Sequence, residues 1–179
     1  MKVMLDACVL YPTVMREVLM GAADAGLYQP QWSARILEEW ARAAARHGPM
    51  DEVAARGSAN LMNAHHPRGL IGPTPDLEKR LWLPDPNDIH VLAAAIKGSS
   101  DVIVTMNAKD FPRNILAEEG LRRDDPDRFL WMLAQDTPDV MQDVVEAVKD
   151  KANTMQDRPW TVRALMKKAR LPRLGKLFG

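Results

Sequence analysis

Residues 81–105, LWLPDPNDIHVLAAAIKGSSDVIVT, hold the most orderly pattern in the chain and decide its fold class. Asp85 stands where a helix N-cap belongs, Pro86 at the first helical position and Asp88 at the third, a strong helix-start signature. The apolar run that follows stops at Gly98, and DVIVT over 101–105 is a compact β-branched strand. Strand and helix joined this tightly predict a parallel α/β sheet. Working outward, KVMLDACVL over 2–10 reads as a strand buried on both faces, with a single carboxylate, Asp6, inside it. Tyr11-Pro12-Thr13 breaks that strand. The spacing of 14–26 predicts a helix with Thr13 as its N-cap and Gly26 as its stop.

Ser33 can cap a further helix over 34–48, whose Ile36 and Trp40 fall on one stripe. A helix over 50–64 is weakened by Gly57, and 65–76 (HHPRGLIGPTPD) reads as loop. Past Arg122 three segments, 124–136, 137–155 and 158–170, open on Asp-Pro, Thr-Pro-Asp and Arg-Pro and read as helices with no strand between them. The expected organisation is an α/β unit over 1–121 and a helical extension with a basic tail over 122–179.

One cysteine among 179 residues excludes an internal disulfide. Asp6 interrupts the apolar start before a signal-peptide core could form, and no run reaches the roughly 18 apolar residues of a membrane span. The expectation is a soluble, cytoplasmic chain with no membrane partner. The formal net charge of +0 conceals a division. Residues 1–157 carry 17 Lys+Arg against 24 Asp+Glu, whereas 158–179 carry seven Lys+Arg and no acid. A basic terminal segment of this kind contacts a phosphate backbone or an acidic partner, or is a solvated helix face; charge alone leaves these open.

Several acids lie at the ends of apolar elements: Asp6, Glu38 and Glu39, Asp85 and Asp88, and Asp110. In an open parallel sheet the functional crevice lies beyond the carboxyl ends of the strands. Carboxylates gathered there repel one another, and a divalent cation removes the difficulty. Mg²⁺ and Mn²⁺ favour oxygen ligands and keep waters, which suits hydrolysis of a phosphodiester by metal-activated water without a Ser, His or Cys nucleophile.

MLDACVLYP, Ser33 to Glu39, LPDPNDIHVLAAAI and DVIVTMNAKDFP, in this order and spacing over about 1–115, resemble a PIN-domain ribonuclease of the VapC toxin type. The resemblance implies a Rossmann-like α/β/α sandwich, cleavage of RNA with Mg²⁺ or Mn²⁺, a cognate antitoxin and a possible homodimer. It assigns catalytic roles to Asp6, Glu39, Asp88 and Asp110, with Asp6, Asp88 and Asp110 on the metal and Thr105 and Asn107 orienting a carboxylate or water. Some relatives carry an acid where Asn107 stands, which leaves the fourth polar position at the metal open between Asn107 and Asp110. The helical extension resembles that of a subset of longer VapC-like proteins. A noncatalytic RNA- or protein-binding module on the same fold is the alternative. A haloacid dehalogenase-type phosphatase would want an Asp where Cys8 stands.

Blander roles remain for several residues. Asp85 fits a structural N-cap, and Glu38, turned about 100° from Glu39, faces solvent. His65-His66 lacks metal-ligand spacing, and His90 reads as packed or surface-facing. Cys8 reads as a small buried apolar residue, and Trp32, Trp40, Trp82, Trp131 and Trp160 as core anchors, with base stacking open to Trp160 beside the basic tail.

Overall fold

The computed structural model describes residues 1–154 and 157–179. Five strands form one all-parallel sheet: β1 (Lys2–Leu5), β2 (Gln29–Ser33), β3 (Leu70–Ile71), β4 (Val102–Val104) and β5 (Arg122–Asp124), in the order β3-β2-β1-β4-β5. Between them run α1 (Ala7–Leu10), α2 (Thr13–Asp24), α3 (Ala34–Ala45), α4 (Pro49–His65), α5 (Pro75–Arg80), α6 (Ile89–Lys97) and α7 (Arg113–Glu118). After β5 come α8 (Pro126–Asp136), α9 (Pro138–Asn153), α10 (Val162–Lys168) and α11 (Pro172–Phe178). This is the expected parallel α/β fold followed by a helical region. No described helix is long and apolar enough to cross a membrane.

By contact, the chain divides into two compact units that are not continuous in sequence. One contains 1–11 and 28–124, the other 12–27 and 125–179. The expected extension begins at 122, yet Arg122–Asp124 pairs in parallel with Val102–Val104 and completes the sheet. Helix α2, read as part of the α/β unit, clusters with the C-terminal helices, where Gly21 lets Val144 of α9 approach: a Cβ on Gly21 would lie 2.8 Å from Val144 Cγ1.

Within the first unit, Val3, Met4, Leu5, Ile103 and Val104 are fully buried, as strands covered on both faces require. β1 is shorter than the sequence suggests. It ends at Leu5, and Asp6 opens the single turn α1 by accepting from the Ala7 amide. Thr13 is the first residue of α2 rather than its cap. β2 and β3, absent from the sequence reading, show how tertiary pairing overrides local propensity. Pro30 is tolerated in β2 because donors alternate sides. Gln29 donates to Met1 and Trp32 to Gly69, so Pro30 lacks a donor only on the side of β3, at a level β3 does not reach. Three further short helices, α5, α7 and α11, also lie where no element was expected. The expected end of the helix at Met155 falls outside the described residues.

The tryptophans divide. Trp32 and Trp40 are buried, but Trp82 is 66% and Trp131 37% exposed, which removes these two from the expected set of core anchors.

Candidate metal centre

The chain runs outward from β1 to β2 and β3, then crosses back to add β4 on the other side of β1. The switch point therefore lies between the carboxyl ends of β1 and β4, the place where open α/β sheets bind ligands. Helices that connect parallel strands run antiparallel to them and begin at this carboxyl edge. That brings the starts of α3 and α6 to the edge where β1 and β4 end.

Asp6 follows β1 directly and is 5% exposed. Its Oδ1 accepts from the Ala7 amide at 2.7 Å, and its Oδ2 accepts from the Thr105 hydroxyl at 2.7 Å and the Cys8 thiol at 3.2 Å. Thr105, just after β4, also accepts from the Asn107 amide at 3.0 Å, while Cys8 Sγ accepts from the Met106 amide at 3.3 Å. These bonds stitch the two strand ends together and hold Asp6 in one rotamer. Cys8 is thus part of a polar network rather than an apolar filler, and burial, followed by the Asp6 charge, pushes its thiol up to about 12.

Asp85, Asp88 and Asp110 each offer a carboxylate oxygen, and the three oxygens lie within 4.8 Å of one another. Asp85 and Asp88 meet because Pro86–Asp88 forms a 3₁₀ turn before α6 rather than a first α-turn. Residues three apart are eclipsed in that geometry. Asp85 caps the turn by accepting from the Asn87 amide at 2.9 Å, so capping and cluster membership coexist in one side chain. From the sequence, only the cap is expected of it. The signal available was the Asp-Pro-Asn-Asp spacing itself. Asp110 arrives from the loop after β4, and Asn107 in that loop donates from Nδ2 to Asp88 Oδ2 at 3.0 Å.

Asp88 is the electrostatic centre of the group. Its carboxyl is pushed up to about 6, first by desolvation and then by the charges of Asp6, Asp85, Asp110 and Glu39. All four acids singled out in the sequence are therefore within electrostatic reach of one another through Asp88, with Asp85 added. Asp6 and Glu39 stand outside the three-oxygen cluster. Glu39 lies on α3, capped by Ser33 accepting from the Ile36 amide at 3.2 Å. Its Oε1 approaches Arg35 Nε at 3.4 Å and His90 Nε2 at 2.9 Å. His90 is 3% exposed, and despite the short approach neither ring nitrogen meets hydrogen-bond geometry. The contact is close but misaligned.

The donor set fits a hard divalent cation. Three carboxylates converge without a nitrogen or sulfur ligand among them, and one is driven toward protonation by the others, a penalty that a 2+ ion would offset.

A doubly wound parallel sheet with acids converging at its carboxyl edge defines an α/β protein with a carboxylate cluster that could hold such an ion. The chain belongs to the PIN-domain family: a family model described as PIN domain matches residues 2–109. PIN domains are generally metal-dependent nucleases that use divalent ions, and the Asp85, Asp88 and Asp110 cluster accords with that class. No curated protein and no solved structure matches the chain.

Proposed function

We propose that this PIN domain is a Mg²⁺- or Mn²⁺-dependent endoribonuclease, acting in the cytoplasm as the toxin of a toxin-antitoxin pair. The observation that carries the reading is the convergence of Asp85, Asp88 and Asp110 beside Asp6 at the switch point of the sheet, with Asp88 pushed up to about 6. Asp6, Asp88 and Asp110, joined by Asp85, would hold the ion, and Glu39 would complete the acidic wall. A divalent cation bound there supplies charge neutralisation at phosphate oxygens and lowers the pKa of an attacking water. Thr105 fixes Asp6, and Asn107 keeps one Asp88 oxygen turned and hydrogen-bonded, so the acids are preorganised before substrate arrives. The negative charge of the acids also disfavours an RNA phosphate, a penalty that a bound 2+ ion would offset.

The toxin assignment, with an antitoxin that blocks the pocket and a possible homodimer, rests on the motif resemblance to VapC-type proteins. The deciding experiment incubates purified protein with total cellular RNA in EDTA, then with added Mg²⁺ or Mn²⁺, and maps the cut ends. Cleavage restored by metal and lost in Asp88→Asn is expected. RNA left intact in the presence of metal would overturn the nuclease reading and favour a binding module. Growth arrest on expression, relieved by a co-expressed neighbouring gene product, tests the toxin role.

A further inference from the structure

The helical unit contains a cleft of its own. Asp127, in the first turn of α8, is 6% exposed and accepts from the Arg173 amide at 3.1 and 3.0 Å and from the Leu174 amide at 3.3 Å. This buried carboxylate locks the start of α11 onto α8. Gly175 allows α11 to seat closely on α10, since a Cβ there would lie 3.0 Å from Met166 Cβ. Between the docked helices opens a cleft of about 440 Å³ lined by Trp131, Arg173, Lys176 and Leu177.

Two features of that cleft have no structural use. Trp131 is 37% and Leu177 43% exposed, so part of the indole stays wet that a folding core would cover. Arg173 and Lys176, three apart and on one side of α11, are exposed, and among the described residues neither side chain has an ion pair. The adjacent acid, Asp127, is buried and spent on backbone amides, and residues 158–179 contain no acid to neutralise the cations. The rigid seating of α11 means the cleft is preformed, so a ligand meets little ordering cost.

An apolar partner would desolvate two unpaired cations, and an acidic peptide would leave the indole without a planar partner. A nucleotide satisfies both: its base offers a π-face to Trp131 and its phosphates offer anions to Arg173 and Lys176. The volume lies within the range that small-molecule sites occupy. We propose that this cleft is a binding site for single-stranded RNA, with one base stacked on Trp131 and flanking phosphates paired to Arg173 and Lys176. The proposal deepens the ribonuclease reading, on which the choice of RNA rests, by assigning a substrate-holding site in the helical unit.

The test is fluorescence anisotropy of a short labelled single-stranded RNA of mixed sequence, titrated with the full chain in EDTA over a range of salt. Trp131→Ala should weaken binding about 5- to 150-fold, the range expected for loss of one stacked base, with Trp131→Tyr retaining most of the affinity. Arg173→Gln with Lys176→Gln should lower the slope of log K against log salt by about 1.4, for two lost phosphates on a single strand. Circular dichroism verifies folding, and this exposed pair decides the matter if Trp131→Ala unfolds. Unchanged affinity and slope in folded variants overturn the site. So does a polyglutamate peptide that binds with the same Trp131 dependence while RNA does not bind. Because binding is read without metal, the two readings fail separately. Absent cleavage with Trp131-dependent RNA binding sinks only the nuclease, and intact cleavage with unchanged binding in the variants sinks only the cleft.

Discussion

Glu38 and Asp88 belong to one compact unit and face opposite surroundings. Glu38 accepts from Arg42 Nε at 3.0 Å and from Arg56 Nη1 at 2.7 Å and Nη2 at 3.2 Å, and these arginines hold its carboxyl down at about 2. Asp88 has an amide, Asn107, and no cation; desolvation and the other acids push it up to about 6. Where charge is structural, the chain supplies arginines. Where Asp85, Asp88 and Asp110 converge, no arginine pairs with them among the described residues, and the site favours a cation from solution. Glu39, next to Glu38 in sequence, is turned toward His90 instead of Arg56, which shows how one helical step separates the two environments.

The sharpest way to break this contrast is Asp88→Asn. RNA cleavage should fall more than about 100-fold, beyond the loss typical of an outer partner of a metal ligand. The melting temperature of the metal-free protein should hold or rise, because a repelled charge has been removed; a marked fall would mean that Asp88 is structural after all. Asp6→Ala should behave differently. It removes the acceptor of the Ala7 amide, the Thr105 hydroxyl and the Cys8 thiol, so about 1–3 kcal/mol of stability should go together with activity in a urea titration. Asn107→Ala, which frees Asp88 Oδ2, should cost about 10- to 100-fold in metal affinity by titration calorimetry while the fold stays intact.

A smaller effect concerns pH. The Asp88 carboxyl is raised from 3.8 in a model carboxylate to about 6 in the fold, so the folded state prefers its protonated form. Its favourable contribution is complete below about 4 and is lost as pH rises to about 6, the reverse of a salt-bridged acid. Metal-free protein should lose on the order of 1 kcal/mol across that window once solvent screening is included. Added Mn²⁺ should restore stability above pH 6 and have little effect below it. A metal-induced rise in melting temperature that does not depend on pH would sever Asp88 from the ion. Smallest of all is Arg56→Gln, which should change stability by less than about 1 kcal/mol and leave cleavage untouched, since exposed pairs contribute little.

Much of the site was legible because its residues mark the ends of elements. Asp6 after an apolar run, Ser33 three residues before the amide it caps, and Asp85-Pro86 before an alanine-rich helix all carry local signals that folding preserved. The illegible parts depend on long-range pairing. β2 contains Pro30 and β3 has only two residues, so neither carries a strand signal of its own; each exists because a neighbouring backbone receives it. Asp85 was hidden for a different reason. Its capping role was visible, whereas its approach to Asp110 required a loop from another strand to return to the same edge.

The sequence by itself determined the parallel α/β class, the helix starts and the chemistry of the donors, because caps, turn formers and hydrophobic runs act over a few residues. Tertiary structure decided which acids meet, that α2 joins the C-terminal helices, and that Trp131 faces an open basic cleft. Those outcomes follow from strand order and helix docking, which bring together residues far apart in the chain and lie beyond any local pattern.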